Sequence, residues 1–215
     1  MSLAAARTAI LSVAAGCLAG GCVSGREPLL YIMTPAAGLQ APLPPDAAVP
    51  HLLVGPVRVP EFLDSTDILV RRGAGELVPR DRARWGERLS VGVRDALLAD
   101  LRDRLPDGTL VGPGQCVTPF HFLSVSVVAF DVRADGSTVL VASWVMRDGR
   151  AGVGLAADQG TFTVPAAMPG KTAADAVIVA TMTRALDALA ARLAVLALEP
   201  IPERSPPSSG RIPPC

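Results

Sequence analysis

The sequence has no excess of either positive or negative charge. Its 215 residues include 20 basic and 20 acidic side chains, so the formal net charge is zero. Proteins that bind nucleic acids need an excess of positive charge to displace counterions from the phosphates, and this chain has no such excess. We therefore expect no nucleic-acid partner.

Residue patterns that serve catalysis are also scarce. The chain has two histidines, His51 and His121, and four cysteines without zinc-like spacing. The sequence contains no nucleophile elbow, phosphate-binding loop or dinucleotide fingerprint. We expect both histidines to be structural, and the protein to be a non-enzyme that needs no metal or cofactor.

Aromatic residues make up only 4% of the chain, whereas 50% of it is hydrophobic and 19% is charged. This balance is typical of a globular protein with one core. Trp85 and Trp144 each lie on the apolar side of a predicted element. We expect both to be structural core residues rather than an aromatic binding platform.

The amino terminus has the layout of an export signal. Arg7 precedes an uncharged apolar stretch at residues 8–18, which is too short to span a bilayer. Residues 18–22 read LAGGC and resemble a bacterial lipobox, in which the cysteine receives a diacylglycerol and becomes the new amino terminus. We expect lipidation at Cys22, with Cys17 as the rival position.

These patterns divide the chain into four parts. We expect a lipoprotein signal peptide at residues 1–21, a lipidated tether at 22–28, one domain at 29–198 and a proline-rich flexible tail at 199–215. Several acyl chains together hold a protein stably on a membrane. Val23 stands where Asp would be the usual inner-membrane retention signal, which favours the outer membrane.

The domain alternates strand and helix patterns. A hairpin is predicted around Asp135, and a long helix is predicted from a cap at Asp81 to Leu105 because apolar residues recur at every fourth position. A second helix is predicted over residues 171–198, whose three central charged residues argue against a membrane span. This order predicts an α/β or α+β sandwich with a mixed β-sheet.

Several segments resemble the ABC-type transport auxiliary lipoprotein family, the PqiC-like group. Residues 54–64 read VGPVRVPEFLD, residues 68–71 read ILVR, and residues 84–89 read RWGERL at a helix start. The lipobox, the later strand containing Trp144 and the terminal helix also fit. The resemblance implies a three-layer α/β sandwich with a mixed β-sheet and two long helices, similar to the anticodon-binding domain and the amino-terminal domain of TolB.

The resemblance also implies a function. Members of this group are periplasmic lipoproteins, anchored to the outer membrane, that assist an MCE-type lipid transport system with its permease and ATPase. They have no known catalytic residues and no cofactor, so Cys22 alone transfers as a functional position. The implied role is to receive the MCE-domain protein at the membrane, with a ring of identical subunits as one arrangement.

The family segment suggests where the partner docks. We expect a docking loop at Pro60, Glu61, Phe62, Leu63 and Asp64, weighed evenly against a structural role in fixing the exit of the preceding strand.

Two other functions stay open from the sequence. The first is a lipoprotein that itself binds a lipid or small apolar ligand in a cavity between helix and sheet. The second is a periplasmic hydrolase, which needs a cleft where His51 or His121 approaches a serine or a carboxylate. Pairing of Cys116 with Cys215 as a disulfide is also left open.

Overall fold

The computed structural model describes residues 27–34, 50–112, 114–115, 117, 120–149, 151–166 and 171–198. The predicted signal peptide, the rival lipidation sites Cys17 and Cys22, the carboxyl-terminal tail, and the thiols Cys116 and Cys215 lie outside the described residues. Within the described part the elements follow in this order: β1 (Leu29–Tyr31), β2 (His51–Val54), β3 (Asp67–Arg72), β4 (Glu76–Trp85), α1 (Leu89–Arg104), β5 (Phe120–Val132), β6 (Thr138–Asp148), β7 (Gly154–Val164) and α2 (Asp175–Leu198).

The strands form two mixed sheets. The smaller has the order β1-β4-β3 and the larger the order β2-β5-β6-β7. β1 runs parallel to β4 and β2 parallel to β5, whereas the hairpin pairs β3–β4, β5–β6 and β6–β7 are antiparallel. An isolated bridge between Arg71 of β3 and Arg133, directly after β5, joins the smaller sheet to the end of the larger one. The predicted α/β sandwich with two long helices and mixed strand pairing is confirmed, with the strands divided between two sheets.

The core lies between the two helices and one face of the larger sheet. In β6 every second residue from Thr138 to Met146 is buried, as the period of a strand requires. α2 packs against β5, β6 and β7 and also against α1. An ion pair between Arg104 of α1 and Asp187 of α2 joins the two helices. No described helix combines the length and the apolarity needed to cross a membrane.

The predicted start of the first helix was wrong. Asp81 does not cap it, because residues 76–85 form β4 and α1 begins at Leu89. Trp85 shares the four-residue spacing of the helix, but Ala83 and Trp85 are also buried at the two-residue spacing of a strand. Pairing of this segment with β1 on one side and β3 on the other decided between the two periods.

Gly160 of β7 provides a test of the packing of this core. It lies opposite Ala142, and a methyl group on it would come within 2.9 Å of Phe162 Cζ and 3.0 Å of Trp144 Cη2. We expect Gly160→Ala to lower the free energy of unfolding by about 1–3 kcal/mol, because the aromatic rings would have to move. Urea denaturation measures this loss. Gly154→Ala in the same strand is the control, since a methyl group there meets nothing within 4 Å; equal losses in both variants would contradict the packing.

Candidate functional site

The predicted docking loop, residues 60–64, is a tight turn between β2 and β3. The Pro60 carbonyl accepts hydrogen bonds from the backbone N–H groups of Leu63 and Asp64, at 2.9 and 3.1 Å. Leu63 is only 4% exposed, so it anchors the turn in the core. Phe62 is 60% exposed and Glu61 is also exposed. The same turn therefore holds two residues inward and presents two outward on a fixed backbone.

Asp64 caps helix α1 from a distance in sequence. The residue that precedes the helix, Arg88, makes no side-chain cap of its own. Instead, Asp64 Oδ1 accepts a hydrogen bond from the backbone N–H of Ser90 at 2.9 Å, which satisfies a helix-terminal donor. Arg88 adds an ion pair from its Nη2 to Asp64 Oδ2 at 3.1 Å and a hydrogen bond to the Asp64 carbonyl at 3.0 Å.

These contacts stabilise the charged form of Asp64. The Ser90 backbone hydrogen bond holds the pKa of the Asp64 carboxyl below its ordinary value, with smaller contributions from the Ser90 side chain and the Arg88 charge, while partial burial opposes the shift. Asp64 thus caps α1, which is a different structural role from fixing the exit of the preceding strand, whereas Phe62 and Glu61 are exposed.

Further exposed apolar residues lie in β1 and next to it. Leu29 and Leu30 in β1 and Ile32 just after it are 62%, 68% and 59% exposed. Arg88, which binds Asp64, also lines a cavity of about 10 Å³ together with Ile32, so the turn and the β1 segment lie at the same end of the domain. We name Leu29, Leu30, Ile32 and Phe62 the tether-end patch, because the chain enters the domain here.

The two histidines lie on the neighbouring strands β2 and β5 and have different surroundings. His51 Nδ1 lies 3.1 Å from the carbonyl of Gly108. Burial lowers the pKa of His121, which the charge of neighbouring Asp148 partly offsets. Asp148 itself accepts a hydrogen bond from the Ala151 N–H at 2.7 Å. Neither the small cavity beside Ile32 nor the large groove described below is lined by a histidine.

Both tryptophans lie inside the protein. Trp85 is 4% exposed and Trp144 is 2% exposed, and the ring of Trp144 lies 6.4 Å from that of Phe162. Neither forms part of an aromatic platform on the surface. Among the residues that the structure describes, no three histidine, cysteine or carboxylate side chains come together to hold a metal ion.

Sequence reasoning missed a second surface feature. The β3–β4 hairpin, the β5–β6 turn and the start of α2 enclose a groove of about 520 Å³ that is lined by four arginines. The arginines lie within residues 71–82, but the groove also includes Ala134 and Asp175, so no local motif defines it. The dense arginine spacing in residues 71–84 was the one available signal.

Asp64 yields a stability prediction. We expect Asp64→Ala to lower the free energy of unfolding at neutral pH by about 1 kcal/mol, because the helix loses its capping carboxylate. Since the pKa is lowered in the folded state, this stabilisation is present above the ordinary carboxyl pKa of about 4 and disappears as the pH falls through the folded-state value.

Urea denaturation of Asp64→Ala and the parent protein between acid and neutral pH measures this difference. Exposed Asp107 is the control, and Asp107→Ala should leave stability nearly unchanged at every pH. A stability gap for Asp64→Ala that stays constant into strong acid would contradict the role of the charged carboxylate.

Comparison with known structures identifies the fold. A crystal structure of a Xanthomonas campestris protein of the DUF330 family superposes with a TM-score of 0.60 and 19% identity, covering 79% of this chain and 95% of that one. A second crystal structure, of a protein described as uncharacterized, has a TM-score of 0.59 and 19% identity, covering 79% and 98%. At this identity the likeness establishes a shared fold. Comparison with curated proteins finds no significant match.

The family model for the ABC-type transport auxiliary lipoprotein component matches residues 31–194, which is most of the chain. The match spans all the helices and strands from the end of β1 to the second helix. The resemblance seen in the sequence is thereby confirmed. The chain belongs to the family of ABC-type transport auxiliary lipoprotein components.

Proposed function

We propose that this protein is a non-catalytic lipoprotein, anchored through Cys22 to the periplasmic face of the outer membrane. There it docks the MCE-domain protein of an intermembrane lipid transport system that also contains an ABC permease and ATPase. Membership of the auxiliary lipoprotein family supports the transport role. The lipobox sequence at residues 18–22 supports the anchor.

The tether-end patch is the observation that carries the docking part of the proposal. Clusters of large apolar side chains on a surface are typical of interaction sites. Phe62 is held on a turn fixed by Leu63 and Asp64, so its position costs little entropy when a partner covers it. An aromatic residue on a rigid backbone is a common energetic centre of a protein interface.

The tether places this patch near the membrane. Leu29 lies seven positions after Cys22, and seven steps of a fully extended chain span at most about 25 Å. With Cys22 in the bilayer surface, the patch therefore stays within reach of a partner that arrives at the membrane. Identical subunits anchored in this way can form a ring around the end of the partner, which we include in the proposal.

The alternative of an internal lipid site receives less support. Between the helices and the larger sheet, Leu97, Leu140, Leu186 and Leu189 have no exposed surface, so side chains fill this layer. The cavity beside Ile32, at about 10 Å³, is smaller than any acyl chain requires. Docking at the surface remains the function that the geometry favours.

Replacing the proposed anchor residue tests localisation. We expect Cys22→Ser to be released from the membrane fraction as a folded protein, because the described core begins only at Met33. Cys17→Ser is the matched control and should remain in the membrane fraction. Fractionation followed by mass spectrometry of the amino terminus measures both. If Cys17→Ser is released and Cys22→Ser stays in the membrane fraction, the anchor is Cys17 instead. If both single variants stay in the membrane fraction, anchoring through a single cysteine is contradicted.

Truncating Phe62 tests docking. We expect Phe62→Ser to reduce capture of the MCE-domain protein by about tenfold or more, since loss of a central aromatic contact commonly costs that much. The melting temperature should stay near that of the parent, because Phe62 is 60% exposed. Val195→Ser is the control, as Val195 is 53% exposed but belongs to the last turns of α2. Equal capture by the two variants would refute docking at this patch.

A further inference from the structure

The groove beside the β3–β4 hairpin is lined by several arginines. Arg71, Arg72, Arg80 and Arg82 line it, together with the carboxylates of Asp81 and Asp175. Arg71 and Arg80 are each paired at 2.6 Å, with Asp131 and Asp175, so the positive charge that is weakly paired or unpaired belongs to Arg72 and Arg82. Exposed guanidinium groups without a close carboxylate attract an anion even when the net charge of the protein is zero.

A bulge in β4 positions two of these arginines. Asp67 pairs with Arg84 and Leu69 pairs with Pro79, so the four residues 80–83 of β4 face the single residue Ile68 of β3. Bulges of this kind bend a strand and redirect its side chains. Arg80 and Arg82 are two residues apart in the bulge, and both line the groove.

Arg84 holds the bulge in place. One of its terminal nitrogens donates hydrogen bonds to the carbonyl groups of Arg80 and Ala83. Its Nε makes an ion pair with Asp67 of β3 at 3.0 Å. Arg84 therefore satisfies two carbonyl groups of the bulge, so the side chains of Arg80 and Arg82 are not needed for that purpose.

Much of the hydrogen-bonding capacity of the groove arginines is unused. Arg82 is exposed and makes no ion pair with any residue that the structure describes. Arg72 has only a 3.5 Å pair with Glu76, both largely exposed, which contributes little. Arg80 uses its Nε to bind Asp175 at 2.6 Å, so the charge of Asp175 is offset while the terminal nitrogens of Arg80 stay available.

The shape and chemistry of the groove select the ligand. Guanidinium groups bind phosphate oxygens with paired, charge-assisted hydrogen bonds, and Arg72, Arg80 and Arg82 all line this groove. Its volume of about 520 Å³ leaves room for a phosphate group and its substituent. We propose that this groove is a phosphate-binding site, contacted by Arg72, Arg80 and Arg82. The phosphate belongs to a phospholipid headgroup or to free phosphate.

This site is separate from the docking proposal, because its residues belong to other elements than the tether-end patch. The test uses the mature lipidated protein in neutral detergent micelles. Two probes are titrated by calorimetry: water-soluble dihexanoyl phosphatidylglycerol and inorganic phosphate. The test variant is Arg72→Gln with Arg82→Gln. The control, Arg184→Gln with Arg192→Gln, removes the same charge from exposed positions on α2.

We expect the Kd to rise about tenfold or more in the Arg72 and Arg82 variant, because two charge-assisted contacts are lost. The control should stay within about twofold of the parent, because its charges are remote and screened. Thermal melting should be unchanged in both, since all four arginines are exposed. If only the lipid probe binds, the inference is supported and the bound phosphate belongs to a lipid headgroup. If inorganic phosphate binds comparably, the inference is supported and the ligand is the free anion.

Three results would overturn the inference. The first is that neither probe binds the parent protein. The second is that both double variants weaken binding equally, which reports net charge only. The third is that the Arg72 and Arg82 variant binds both probes as tightly as the parent does.

Discussion

The packing of α2 against one face of the larger sheet is the interaction on which the rest of the structure depends. Ile178, Leu186, Leu189 and Leu193 have no exposed surface, and each such buried side chain contributes about 1.5–3 kcal/mol. The hairpin β3–β4 and the turn at residues 60–64 add Ile68, Trp85 and Leu63 to this core, while their other side chains stay at the surface. The surfaces with chemical character are on these peripheral elements.

Those peripheral elements are held by a few polar contacts across long sequence distances. Asp64 fastens the turn to the start of α1, Arg80 fastens the β4 bulge to Asp175 of α2, and Arg71 binds Asp131 of β5 at 2.6 Å. Each contact orders a segment that a partner or ligand can then meet with little loss of entropy. A binding role needs such order.

The extent to which sequence predicted structure differed between elements. The hairpin around Asp135 and the helix over residues 175–198 have strong local patterns, and both are present. The start of α1 failed because Trp85 fits the spacing of a helix and of a strand equally well, and only the pairing partners in β1 and β3 distinguish them. Residues 60–64 were predicted as a docking loop, but their sequence did not show that Asp64 binds the backbone of Ser90 while Phe62 is exposed.

The sequence by itself determined the class of protein: a neutral, lipobox-bearing chain with alternating strand and helix patterns and no pattern of catalytic groups. Composition and local periodicity are properties of neighbouring residues, so they can be read without coordinates. Tertiary structure alone decided that the apolar residues of β1 lie at the same end of the domain as Phe62. It also decided that the arginines between positions 72 and 82 line one groove together with Asp175. Those juxtapositions depend on strand register and on a bulge, which are set by the packing of the whole domain rather than by any local segment.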